Sequence, residues 1–268
     1  MTTPSSNGIV LAETYGATRV LTLNRPDKRN ALETATYILM EKYIDEGLAD
    51  PQIANFVLRG AGEFFCSGGD LRSLETRAAL PVEERAALIQ RLHDLVIKLK
   101  FCPKPVIAAI EGGAAGAGAS LAFAADMIVA AQGSYISMAY VKAGLVPDGG
   151  GSAFLALSLP HQLAAEMALL GGRLPVERFA QAGVVNRVVK PGTALEIALE
   201  LGKQMAEVAR ESQSAILQLL DGPDRETFER QLDREKALMA KALGAPEAAE
   251  GIAAFKEKRA PAFTQNAD

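Results

Sequence analysis

Residues 105–131 read PVIAAIEGGAAGAGASLAFAADMIVAA, and this stretch decides the fold class. Pro105–Ile110 is a short apolar run of the kind that sits inside a sheet, too brief for a buried helix. Glycines at Gly112, Gly113 and Gly116 then break it. Gly116–Ala125 is a run of small residues suited to a closely packed helix, and Met127–Ala130 is apolar again. Strand, turn, helix and strand in so short a span predict an α/β fold with parallel pairing and right-handed crossovers.

The alternation continues outward. Ile9–Glu13 and Arg19–Leu23 read as strands joined at Tyr15-Gly16. Asn24 to Asp27 is a loop, and Ala35–Leu48 has helical periodicity, carried by Ile38, Met40, Tyr43, Ile44 and Leu48 and ended near Pro51. Asn55–Arg59 is a buried-type strand. Pro81–Lys100 is a long amphipathic helix with Leu88, Leu92, Leu95 and Leu99 on its inner face. From Gly149 onward the chain is mostly helical apart from Val184–Val189, and it ends in charged amphipathic helices over Asp224–Leu243 and Pro246–Arg259. The division expected is a core over residues 1–191 and a helical region over residues 192–268, meeting near Pro191-Gly192.

Composition narrows the function classes. The chain has 268 residues, of which 49% are hydrophobic and 22% charged, the balance of a folded globular protein. A net charge of −4 provides no basic field, which argues against nucleic acid as a partner. Two cysteines, Cys66 and Cys102, and two histidines, His93 and His161, supply neither a disulfide framework nor a metal site. Met1 to Gly8 are polar, without the apolar run of a leader. The most apolar stretch, Val106–Ala131, is interrupted by Glu111 and Asp126, so no membrane span is expected and the cytoplasm is the expected location.

Two glycine-rich turns stand out. Phe64-Phe65-Cys66-Ser67-Gly68-Gly69-Asp70-Leu71 follows a strand and opens a helical stretch, and the segment from Glu111 to Ser120 repeats that logic. Glycines let backbone N–H groups approach a ligand closely, and a helix start adds unpaired donors with partial positive charge. Taken alone, such a turn equally suits tight packing. Neither is a phosphate loop: Leu121 stands where a Gly-x-Gly-x-x-Gly would need its third glycine, and no Gly-Lys-Ser/Thr occurs.

Five ordered segments carry a resemblance over nearly the whole chain: Asn24-Arg25-Pro26-Asp27-Lys28-Arg29-Asn30-Ala31-Leu32, Phe65 to Leu71, Pro105 to Ile110, Gly144-Leu145-Val146-Pro147-Asp148-Gly149-Gly150, and Glu250 to Arg259. In order and spacing they resemble the crotonase (enoyl-CoA hydratase/isomerase) superfamily. The resemblance implies a ββα spiral core that binds CoA, a C-terminal helical region that builds a homotrimer or a paired hexamer, and a CoA thioester as substrate with no separate cofactor. It implies an oxyanion hole from the N–H groups of Gly69 and Ala117, where relatives commonly carry glycine. Ser67, Asp70 and Leu71 match positions lining the adenine and pantetheine path. Lys28 or Arg29 would lie near the CoA phosphates, and Phe255 and Lys258 would meet the adenine end. Without that context, Lys28, Arg29 and Lys258 read as surface charge.

The reaction turns on carboxylates. Hydratases of the superfamily place water between two glutamates, and the matching positions here hold Ser120 and Tyr140. Small-residue packing is the plain expectation for Ser120, a core role for Tyr140, and a surface or boundary place for His93. Asp148 is the acid that remains: a turn or helix N-cap aspartate on one reading, a catalytic carboxylate on the other. One carboxylate suffices to move a proton from C2 to C4 of an enoyl thioester, so double-bond isomerisation is the expected activity. Hydration with atypical acid/base residues and CoA binding without catalysis are the alternatives. Dehalogenation would need aromatic walls, and the chain has no tryptophan.

Overall fold

The structure, a computed structural model, describes residues 8–221 and 225–263. β1 (Val10–Tyr15) and β2 (Thr18–Leu23) form an antiparallel hairpin, with Val10 opposite Leu23. A 3-10 turn at Pro26–Lys28 leads to α1 (Thr34–Ala49) and β3 (Asn55–Gly60). Next come α2 (Leu71–Ala78), α3 (Val82–Lys100) and β4 (Val106–Ile110). β5 (Gly113–Ala115), α4 (Ala117–Phe123), β6 (Met127–Ala131) and β7 (Tyr135–Ser137) follow closely. After a 3-10 turn at Ala139–Ala143 come α5 (Gly151–Ser158), α6 (His161–Leu170), β8 (Leu174–Pro175), α7 (Val176–Gln181) and β9 (Arg187–Val189). The rest is α8 (Ala194–Ala206), α9 (Arg210–Leu220), α10 (Arg225–Leu243) and α11 (Pro246–Glu257). Asp224, expected to open α10, lies outside the described residues.

The main sheet runs β1-β2-β3-β4-β6-β9 and is parallel beyond the hairpin, as expected, with Leu58 opposite Ala108 and Ala108 opposite Ile128. Period-2 alternation splits its residues between two faces. Phe56, Leu58, Val106, Ala108, Ile110 and Ile128 face the main core with α1 and α3. Val57, Ile107, Ala109 and Val129 face the opposite side, where Ala194 and Ala198 of α8 cover them. The small sheet β5-β7-β8 was not anticipated. Its strands span two or three residues, too few to show a period, and Gly113–Ala115 is hidden within a glycine-rich turn.

Two helices keep the expected inner face with one residue turned outward in each. α1 begins at Thr34, with an inverted capping box in which Thr36 Oγ1 accepts the Glu33 N–H at 3.3 Å. That phase buries Tyr37, Met40 and Ile44 and leaves Ile38 at 54% exposure. In α3, Leu88 is only half-buried while Ile89 and Val96 join Leu92, Leu95 and Leu99 inside.

His93 is likewise buried, at 1% exposure, because α10 packs along α3; the surface or boundary position expected for it is wrong. Both of its ring nitrogens lack a hydrogen-bond partner among the described residues. Burial, with help from the Lys236 charge, lowers its pKa to about 4. The folded chain therefore holds this imidazole neutral while the unfolded chain protonates it below pH ~6.5, so His93 costs stability increasingly as pH falls toward 4. Replacing it by leucine removes two unpaired polar atoms, and a gain of about 1–2 kcal/mol is expected, larger at pH 5 than at pH 8. Urea unfolding at the two pH values checks this; a loss of stability at both would refute it.

Candidate active site

The two glycine-rich turns interlock. Cys66 bridges Ala114 in parallel, and the Ala115 N–H donates to Cys66 O at 2.9 Å. Leu32 N–H donates to Gly68 O at 2.8 Å and Asp70 N–H to Leu32 O at 3.0 Å, which ties the first turn to the start of α1. Gly68 has φ +92°, and a Cβ there would stand 2.7 Å from Ala115 O and 3.3 Å from Ala117 N. A Cβ on Gly118 would stand 2.5 Å from Cys66 O. Each turn thus needs glycine because the other turn occupies the space. A Cβ on Gly69, by contrast, would meet nothing within 4 Å.

The N–H groups of Gly69 and Ala117 find no acceptor among the described residues. For Ala117, the first residue of α4, this is the ordinary state of a helix start. The two turns that touch here thus each leave one backbone donor unpaired.

Asp148 precedes two left-handed glycines, Gly149 (φ +62°) and Gly150 (φ +78°), that lead into α5. It is 8% exposed. Tyr140 Oη donates to Asp148 Oδ1 at 2.7 Å, and Ser120 Oγ donates to its main-chain oxygen at 2.9 Å. Burial pushes the Asp148 carboxyl up to about 6, against the lowering effects of the Tyr140 hydrogen bond and the Arg77 charge. The Tyr140 phenol is itself raised by burial and by the charge of Asp148. A Cβ on Gly116 would lie 3.7 Å from the Tyr140 ring, so this phenol spans from the second turn to Asp148. Tyr37, buried in the core, is raised by burial and by Asp148, against the lowering effect of the nearby Arg77.

Three readings change here. Asp148 is not a helix cap, because the N-cap of α5 is Gly150 and has no side-chain cap of its own. Ser120 and Tyr140 are more than packing residues: both hydroxyls are directed onto Asp148. The cap is Glu235 of α10, which the sequence did not mark. It is 3% exposed and accepts hydrogen bonds from Gly150 N and Ser152 N, each at 2.8 Å, and from Ser152 Oγ at 2.6 Å. Burial pushes its carboxyl up to about 7, with a further raise from Asp148, although those three bonds pull downward. Its one sequence signal was spacing: Leu232, Glu235 and Met239 fall on a single helix face.

The residues expected along a CoA path fall into two groups. Lys28 and Arg29 are exposed at the 3-10 turn, and the Arg29 guanidinium lies 5.7 Å from the centre of the Phe64 ring. Ser67 N–H donates to Arg29 O at 3.0 Å, and Asp70 is held by Arg25 at 3.0 Å. The Leu71 side chain lies outside the described residues. Phe255 (64% exposed) and Lys258, the left-handed C-cap of α11, belong to a second neighbourhood, where α11 packs on α2 and the 3-10 turn at Ala139–Ala143.

A separate cleft of about 620 Å³, lined by residues including Arg59, Glu111, Leu195 and Lys203, lies on the α8 side of the sheet. It presents none of the groups described above. Among the described residues no group of three or more histidine, cysteine or acidic side chains could hold a metal ion, and no helix is long and apolar enough to cross a membrane.

Comparison with known proteins places the chain in a family. The sequence profile described as enoyl-CoA hydratase/isomerase matches residues 13–266. The 1,2-epoxyphenylacetyl-CoA isomerase of Escherichia coli K12 is 32% identical over 95% of this chain and 98% of its own length. The 2,3-dehydroadipyl-CoA hydratase of the same organism is 32% identical over 91% of this chain and 94% of its own. The crystal structure of an enoyl-CoA hydratase from Polaromonas sp. JS666 covers 94% of this chain and 98% of that one, with 38% identity and a TM-score of 0.79. With the fold and a match over nearly the whole length in agreement, the chain belongs to the enoyl-CoA hydratase/isomerase family of the crotonase superfamily.

Proposed function

We propose that this protein isomerises the double bond of an enoyl-CoA thioester, with Asp148 carrying the proton. The observation that supports this most directly is the use made of Ser120 and Tyr140. At the two positions where hydratases of the superfamily carry water-holding glutamates, this chain has hydroxyls, and both are committed to Asp148. One carboxylate remains to face the substrate. In this reading the thioester oxygen sits between the N–H groups of Gly69 and Ala117, which stabilise the enolate as charge develops. Asp148 removes the C2 proton and returns it at C4. A pKa of about 6 suits both steps, since the group is ionised at neutral pH yet basic enough to accept.

The isomerase name of one relative fits this reading, although a relative of equal identity is named a hydratase. A 3-enoyl-CoA and a 2-enoyl-CoA offered separately tell the reactions apart. Isomerisation raises the absorbance of the conjugated thioester from the first, and hydration lowers it from the second. Rapid loss from the second with no gain from the first would overturn the proposal. The reading includes a CoA path through Lys28, Arg29, Ser67, Asp70 and Leu71, with Phe255 and Lys258 at the adenine end. It also includes a homotrimer or hexamer, supported by the exposed Ile216, Leu219 and Leu220 of α9 and testable by sedimentation.

The pH profile follows from the same assignment. Activity should fall as pH drops through about 6, because protonated Asp148 cannot accept a proton. The Arg77 charge lowers the Asp148 pKa, so Arg77→Met should move this acid limb to higher pH. A limb unmoved in the variant would remove Arg77 from the site's electrostatics.

A further inference from the structure

We infer that Glu235 is a positioning residue for Asp148, acting through the turn that joins them; this rests on Asp148 being the proton carrier. The turn is conformationally permissive, since Gly149 and Gly150 both adopt left-handed backbone that glycine reaches without steric cost and also leaves readily. On its upstream side the turn is held by the Asp148 main-chain oxygen, which accepts from Ser120 Oγ at 2.9 Å and from Gly151 N–H at 3.1 Å. On its downstream side the described hydrogen bonds converge on one carboxylate. Glu235 takes Gly150 N–H, Ser152 N–H and Ser152 Oγ–H, all within 2.8 Å. Gln231 Nε2 donates to the same Ser152 oxygen at 2.8 Å, which leaves the serine proton to point at Glu235.

A helix start is ordinarily capped by its own Ser, Thr, Asp or Asn near the surface, with no charge taken out of water. Here the N-cap is a glycine, and the cap is a buried carboxylate supplied from a helix more than eighty residues away. Burying an ionised group is unfavourable, and the raised Glu235 pKa records that cost. Nearby, Leu92 lies 2.9 Å from where a Gly149 Cβ would stand, and Phe228 lies 3.0 Å from that of Gly150. The turn is thus clamped by packing and charge together. The one carboxylate inside it is Asp148, and a displacement of about 1 Å at a reacting group is enough to cost a hundredfold in rate.

The test uses the full chain and an enoyl-CoA substrate. Glu235→Gln keeps the shape but offers one acceptor oxygen where two met three donors. Its kcat should fall ten- to hundredfold with KM changed less than twofold, because the Gly69 and Ala117 turns are untouched. Thermal unfolding must show the variant folded at the assay temperature. In an Asp148→Asn background the same change should cause no further loss of the residual rate, since a residue acting through Asp148 has nothing left to act on. Should Glu235→Gln fail to fold, Ser152→Ala removes one of the three bonds and should lower kcat about threefold in the same pattern. Unchanged kcat in Glu235→Gln, or an equal loss in both backgrounds, overturns the positioning role alone. Full activity in Asp148→Asn overturns the proton-carrier assignment and this inference with it.

Discussion

Asp148→Asn is expected to lower the rate of the proposed isomerisation by about 10³–10⁴-fold, the upper range for loss of a general base, while making the protein more stable above neutral pH. The amide has the same shape, so Tyr140 Oη still finds an acceptor and the main-chain bond from Ser120 is unaffected. What disappears is basicity. The stability gain follows from linkage. The folded pKa is raised from 3.8 to about 6, so the native state holds a proton that the unfolded state has released in this window. Stability therefore declines as pH rises through it, and the full cost, on the order of 1–3 kcal/mol, is present above pH 6. Asparagine carries no such cost, so the variant should gain at pH 8 and gain little at pH 4. Activity and stability moving in opposite directions would mark a residue kept for chemistry. A variant that loses both would mark Asp148 as structural.

The second large effect concerns a backbone atom. Ala117→Pro deletes one of the two unpaired N–H groups and sets the proline ring where the developing oxyanion would sit. Proline is normally ruinous in a helix, but Ala117 is the first residue of α4, the position that tolerates it best. The preceding Gly116 has no side chain to collide with the ring. The helix should persist, as circular dichroism can verify, while kcat falls by about 10²–10³-fold, the measured worth of one oxyanion donor. A folded variant with turnover within threefold of the parent would remove Ala117 from the oxyanion hole.

Much of this architecture was legible in the sequence because its signals are local. Apolar runs at Asn55–Arg59, Pro105–Ile110 and Met127–Ala130 become central strands, and the glycines at Gly68 and Gly118 mark a place where two backbones touch. The less legible parts depend on partners distant in the chain. His93 reads as a surface or boundary residue in the sequence, and α10 covers it. Ser120 and Tyr140 showed what they were not, a glutamate pair, but their common target appears only when α4 and the Ala139–Ala143 turn bring both hydroxyls to Asp148. Glu235 was hidden for the same reason, one acid among many on a charged helix.

That long reach has a temporal consequence. A ribosome emits the chain from its N-terminus at about 5–20 residues per second, and early segments begin to fold before late ones exist. The cradle of Gly69 and Ala117 and the Asp148 turn are all made long before Glu235 emerges. A nascent chain halted after α9 would hold every group assigned to proton transfer, yet its Asp148 turn would lack the clamp. The Asp148 turn is thus completed only by a helix made more than eighty residues later, so a product truncated before it keeps the groups proposed for catalysis but not the frame that aims them.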